Sequence, residues 1–101
     1  DVGLGGETAH RVALALKNIS LNSQVIVVTH LAQISAYADD HFSISKRVVK
    51  NKTSTQIEHL YADTRVQEIA RMLGASESKA ALALAKDLLK KAEKNEMSST
   101  L

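Results

Sequence analysis

At 101 residues the chain is large enough to bury a core but too short for two ordinary domains. Its net charge of +2 creates no bulk demand for a nucleic-acid partner, and one Phe and two Tyr leave little for base stacking. The absence of cysteine excludes disulfides and thiolate metal sites and fits a cytoplasmic protein, and no apolar run approaches the roughly 20 residues needed to cross a bilayer.

The chain opens DVGLGGETAHRVALAL, beginning at Asp1 rather than a methionine, as a fragment or excised domain would. Apolar residues at Ala9, Val12, Ala13, Leu16 and Ile19 recur at helical spacing, with His10, Arg11, Lys17 and Asn18 on the other side. This predicts an amphipathic helix entered through Gly5 and Gly6 and broken at Asn22 and Ser23. The glycines raise the question of a phosphate loop. A P-loop needs G-x-x-x-x-G-K-[ST], and there is no lysine here; a dinucleotide fingerprint would need glycine where Thr8 stands. A tight turn into the helix accounts for them on their own.

QVIVVTH follows. The consecutive β-branched residues Val25 to Val28 do not alternate, which predicts a strand buried on both faces, as in parallel α/β sheets. His30 would then sit at the carboxyl edge of that strand, where ligands of open α/β sheets bind. An imidazole there could contact a terminal phosphate or orient a water, or could simply cap a loop.

LAQISAYADD reads as a short helix ending at Asp39 and Asp40. Asp39, Asp40 and His30 together match no metal-ligand spacing, and ending a helix is the plainer role for the two carboxylates. HFSISKRVV alternates, with Phe42 and Ile44 on one face and Ser43 and Ser45 on the other. KNKTS turns the chain and STQIEHL returns it, giving an antiparallel hairpin. Lys46, Arg47, Lys50 and Lys52 cluster around it. They could touch nucleic-acid phosphates, but lysines also block edge-to-edge pairing, and the sequence alone favours that second role.

Thr64 and Gln67 form a capping-box pattern ahead of a helix with a Val66, Ile69, Ala70 and Leu73 stripe, stopped by Gly74. Ser76 then caps a long helix over 77–93 with Ala81, Leu84, Ala85, Leu88 and Ala92 on one side, and NEMSSTL is expected to fray. No linker or repeat divides residues 1–101.

DVGLGGETA, VIVVTHLAQISAYADDHFSISK and RVQEIARMLG, in this order across nearly the whole chain, resemble the C-terminal part of the RecN family, bacterial double-strand-break repair ATPases of the SMC-like ABC superfamily. The resemblance implies an α/β fold: the C-terminal lobe of an ABC-type, P-loop NTPase head, with parallel core strands, an antiparallel hairpin and C-terminal helices. It implies that Asp1, Val2, Gly3, Leu4, Gly5 and Gly6 match the D-loop that crosses the interface between two heads. Gly5 stands where relatives usually have an aspartate, so backbone contacts are the inference there. His30 matches the switch histidine near the γ-phosphate and attacking water; Gln33 follows with no assigned role.

The Walker A lysine, the signature motif, the magnesium-binding aspartate and the catalytic glutamate would lie in other segments. ATP and Mg²⁺ are thus the implied cofactors of a longer protein, with none held tightly by this chain. The implied partners are a second head, the N-terminal lobe of the same head, and DNA, in the cytoplasm on the nucleoid. A non-catalytic interaction module, using the hairpin or the Ala/Leu helix, is the rival reading, and a metal hydrolase a distant third.

Overall fold

The computed structural model describes residues 6–74 and 78–99, with side chains through Asn95. Four helices and one hairpin follow in the order α1 (Gly6–Ser20), α2 (Ala32–Ser35), β1 (His41–Val49), β2 (Lys52–Leu60), α3 (Ala62–Met72) and α4 (Lys79–Ser99). The chain is therefore a small α/β unit in which α3 packs on α4, α1 packs on α2 and α4, and α2 meets α3.

The hairpin is antiparallel over its full length, from His41 opposite Leu60 to Val49 opposite Lys52. Its loop is tighter than the KNKTS turn predicted. Lys50 (φ 51°) and Asn51 (φ 63°) alone make it, both with positive φ, as a two-residue turn matched to strand twist requires.

The helix α3 starts one turn earlier than expected because Thr64, not Gln67, ties its entrance. The Thr64 hydroxyl accepts from the Tyr61 N–H (3.0 Å) and donates to the Tyr61 carbonyl (2.9 Å). It ends where predicted, with Gly74 at φ 98° and its N–H donating to the Arg71 carbonyl. Ser76 lies outside the described residues. Among those described, Ser78 caps α4, its hydroxyl accepting from the Ala81 N–H at 2.9 Å. The tail expected to fray continues as helix through Ser99, and Asn95 is tied back to α1. Neither glycine nor proline interrupts it.

The core is built around Ile69 and a set of alanines: Ala13, Ala32, Ala36, Ala70, Ala81, Ala85 and Ala92, with Tyr37. The α3 stripe is as predicted. Two stripes need correction. In α1 the buried line is Ala9, Ala13 and Lys17, while Val12 and Ile19 are exposed, so the inward face is turned toward residues assigned to solvent. In α4, Leu84 is exposed although Ala81, Ala85 and Ala92 are buried.

The strand predicted at Val25–Val28 does not form. Residues 24–28 join no sheet, and Ile26 and Val28 are 83% and 87% exposed. The sheet consists of β1 and β2 only, so these residues have no neighbouring strand to pair with. A β-branched run cannot be buried on two faces without strands on both edges.

Ile69 is fully buried at the junction of α2, α3 and α4. Ile69→Ala is expected to cost about 2–5 kcal/mol, a large part of the about 5–15 kcal/mol typical of a domain. A urea unfolding midpoint shifted well below that of the parent chain, or loss of the cooperative transition, is the expected result.

Candidate functional site

His30 is exposed at the end of the irregular 24–30 segment. The turn that follows is closed by the Thr29 hydroxyl, which accepts from the Leu31 N–H at 3.0 Å. Leu31 then enters α2 with extended backbone (φ −97°, ψ 118°). The imidazole is neither enclosed among apolar groups nor carried on a helix. Asp1, Val2, Gly3, Leu4 and Gly5, the rest of the D-loop assignment, lie outside the described residues. Gly6 is the first residue of α1, and nothing stands within 4 Å of where a Cβ would be, so packing does not require a glycine there.

The segment after His30 is irregular from Ala36 to Asp40, and its carbonyls have few backbone partners. Two cations from different helices supply them. Nη2 of Arg65, on α3, donates to the carbonyls of Ser35 (3.2 Å), Ala36 (3.2 Å) and Ala38 (2.8 Å). Nζ of Lys17, on α1, donates to the Tyr37 carbonyl (3.2 Å) and pairs with Asp39. Tyr37 completes the clamp. Its hydroxyl lies 2.7 Å from His10 Nδ1 and accepts from Asn95 Nδ2 at 3.2 Å, with the His10 and Tyr37 rings edge-on at 5.2 Å.

Asp39 and Asp40, weighed as metal ligands from the sequence, have other partners here. Asp39 pairs with Lys17, and Asp40 lies 3.2 Å from His59 Nε2 on β2. Asp40 and His59 thus join the end of the clamped segment to the hairpin. Among the described residues no group of three or more His, Cys, Asp and Glu side chains could hold a metal ion.

His41 was read only as the start of a strand, yet it is buried, with Nδ1 lacking a hydrogen-bond partner. Burial lowers its pKa, and the neighbouring Arg65 lowers it further, outweighing Glu68. Glu68 is itself held below the usual carboxylate range, first by its hydrogen bonds from Arg71 at 2.5 and 3.0 Å. Burial also lowers the pKa of Arg65, opposed by Asp39 and Asp40. Nothing in local sequence marks His41 or Arg65 for these roles, since their partners are up to 30 positions away.

No family model matches the chain. Curated proteins do. The DNA repair protein RecN of Treponema pallidum is 46% identical over 91 residues, which is 89% of this chain and 16% of that protein. RecN of Deinococcus radiodurans is 45% identical over 89 residues, 88% of the chain and 16% of that protein. RecN of Haemophilus influenzae is 41% identical over 90 residues, with the same two shares. The chain belongs to the RecN family. It spans about one-sixth of the length of the RecN proteins it matches, consistent with a C-terminal RecN segment. No helix among its described residues is long and apolar enough to cross a membrane.

The lowered pKa of His41 gives this RecN-family fold a pH dependence. The unfolded chain binds a proton at His41 near pH 6.5 while the folded chain resists it, so stability rises with pH. The contribution is complete above about pH 6.5 and is lost as pH falls from there toward the folded pKa. Urea midpoints measured between pH 7.5 and pH 5.5 should fall, and His41→Gln should flatten that slope. The Glu68 contribution is lost only at lower pH, below the ordinary carboxylate value of about 4.3.

Proposed function

We propose that this chain is the C-terminal lobe of an ABC-type ATPase head in a RecN-like DNA repair protein. One observation carries the reading: the match to DNA repair protein RecN extends over nearly nine-tenths of the chain. The resemblance of VTHLAQ to the switch-histidine stretch gives His30 its role within that match. The exposure of the His30 imidazole, which leaves it accessible to a ligand, supports that role.

On this reading residues 24–29 become a core strand when the N-terminal lobe of the head supplies strands on either edge. The exposure of Ile26 and Val28 supports that arrangement. ATP and Mg²⁺ belong to the assembled head. Phosphoryl transfer needs a phosphate cradle, a metal ion and a positioned water together. Of these this chain contributes one group, the His30 imidazole, which would face the γ-phosphate and the attacking water. The D-loop residues Asp1–Gly6 would meet the nucleotide across the interface with a second head. The assembled protein would act on DNA in the cytoplasm, in double-strand-break repair and recombination.

Two measurements test the proposal. In a RecN-length protein carrying this chain, His30→Ala should lower ATP turnover by about 10²-fold, the scale of one positioned proton-handling group, with nucleotide affinity nearly unchanged. Unchanged turnover removes His30 from the mechanism. The 101-residue chain alone should show no ATP binding by calorimetry at tens of micromolar nucleotide. Micromolar affinity there would mean that a complete phosphate site lies within it.

A further inference from the structure

The hairpin is where the charge of the molecule is concentrated. Residues 41–60 carry four cationic side chains and one carboxylate, Glu58, and so hold net +3. The rest of the chain is net −1. From Ile44 to Glu58 every residue is exposed, so the distal hairpin stands clear of the helices.

Elsewhere cations are matched by carboxylates: Arg11 by Glu7, Lys17 by Asp39, Arg71 by Glu68 and Lys91 by Asp87. Lys46, Arg47, Lys50 and Lys52 have no carboxylate within reach on their own strands, because residues 41–57 contain none. The register spreads these cations over the tip. Lys46, opposite Thr55, lies on one face; Arg47, opposite Ser54, and Lys52, opposite Val49, lie on the other; Lys50 is in the turn.

Edge protection, the role favoured by the sequence, does not account for this placement. The apolar pair that would need guarding is Ile44 opposite Ile57, and its flanking pairs are Ser43–Glu58 and Ser45–Gln56. Three of the four cations lie beyond Lys46, past that pair. Lys50 adds a second, independent observation. It occupies a left-handed conformation that favours glycine or asparagine, at a cost of roughly 1 kcal/mol for a residue with a long side chain. A lysine kept there at that cost serves something outside the hairpin.

We propose that the distal hairpin is a docking surface for the sugar–phosphate backbone of DNA. Four cations on a two-stranded finger, flanked by the hydroxyls of Ser45, Thr53, Ser54 and Thr55, fit a polyanion with closely spaced phosphates. Backbone phosphates are the ligand, so the contact reads no sequence. The inference rests on the proposed role in DNA repair and adds to it the surface that touches the DNA.

The test uses the RecN-length protein carrying this chain and a 30-base-pair duplex of arbitrary sequence, with binding followed by fluorescence anisotropy across a salt series. The quadruple variant Lys46→Gln, Arg47→Gln, Lys50→Gln, Lys52→Gln is compared with a charge-matched control on α4, Lys79→Gln, Lys86→Gln, Lys90→Gln, Lys94→Gln. The hairpin variant should bind at least about 10-fold more weakly, with the slope of log affinity against log salt reduced by about 2–3, near 0.9 for each phosphate released. The α4 control should change neither. Lys50→Gly should relax the turn, leaving the melting temperature equal or higher while lowering the salt slope by about 1. Equal losses in both quadruple variants, or competition by polyglutamate as effective as by DNA, would overturn the proposal. DNA binding that survives the hairpin variant unchanged overturns this surface and leaves the repair role standing. A parent protein that does not bind DNA overturns both.

Discussion

The fold depends on how five consecutive residues, Ser35 to Asp39, are held without a regular ladder. Their carbonyls, and the carboxylate of Asp39, are taken by Arg65 from α3 and Lys17 from α1. Hydrogen bonds from a charged donor contribute roughly 1.5–3 kcal/mol each, more than neutral ones, and the guanidinium stays protonated when buried. One nitrogen of Arg65 reaches three carbonyls, so the bend is defined by a single side chain. The aromatic ring of Tyr37 lies within the core while its hydroxyl meets His10 and Asn95, which brings α1 and the far end of α4 to the same point. Three helices are thus registered against one irregular segment.

This clamp matters more here because the apolar core is made of small side chains. Ile69 is the one large side chain fully buried among the described residues, and most of the core is alanine. Alanine methyls release little area from water compared with about 1.5–3 kcal/mol for a buried leucine or isoleucine. The large apolar residues Ile26, Val28, Phe42, Ile44, Val48 and Ile57 face outward instead. Helices that meet through alanines approach closely but can slide. Directional bonds from Arg65 and Lys17 resist that sliding where methyl contacts do not.

The elements legible in the sequence were those whose determinants are local. Alternation gave the hairpin, the Val66–Leu73 stripe gave α3, and Gly74 ended it, because each needs only neighbours within a turn or across a short loop. The inward face of α1 was misplaced for the opposite reason. Lys17 and His10 look solvent-facing by type, yet Asp39, Tyr37 and Asn95, 22 to 85 positions away, draw them inward. His41 and Arg65 were missed likewise. Val25–Val28 carries the composition of a doubly covered strand, but composition supplies no partner strand. At the site, the exposure of His30 followed from its place after that run, while the clamp behind it left no trace in sequence spacing.

The clamp also bears on how an exposed imidazole can serve a reaction. A group that meets a phosphate has to project into solvent in the free chain, and an exposed side chain on irregular backbone is usually poorly held. His30 is separated from α2 by one residue, and α2 is too short to be stable alone. What fixes α2 is its burial through Ala32 and Ser35, together with the Arg65 bonds that begin at Ser35. Rigidity is supplied on the C-terminal side of the histidine and accessibility on its N-terminal side. On the proposed reading the strand that completes the N-terminal side would arrive with the nucleotide-binding lobe, so the imidazole would gain its second support together with its ligand.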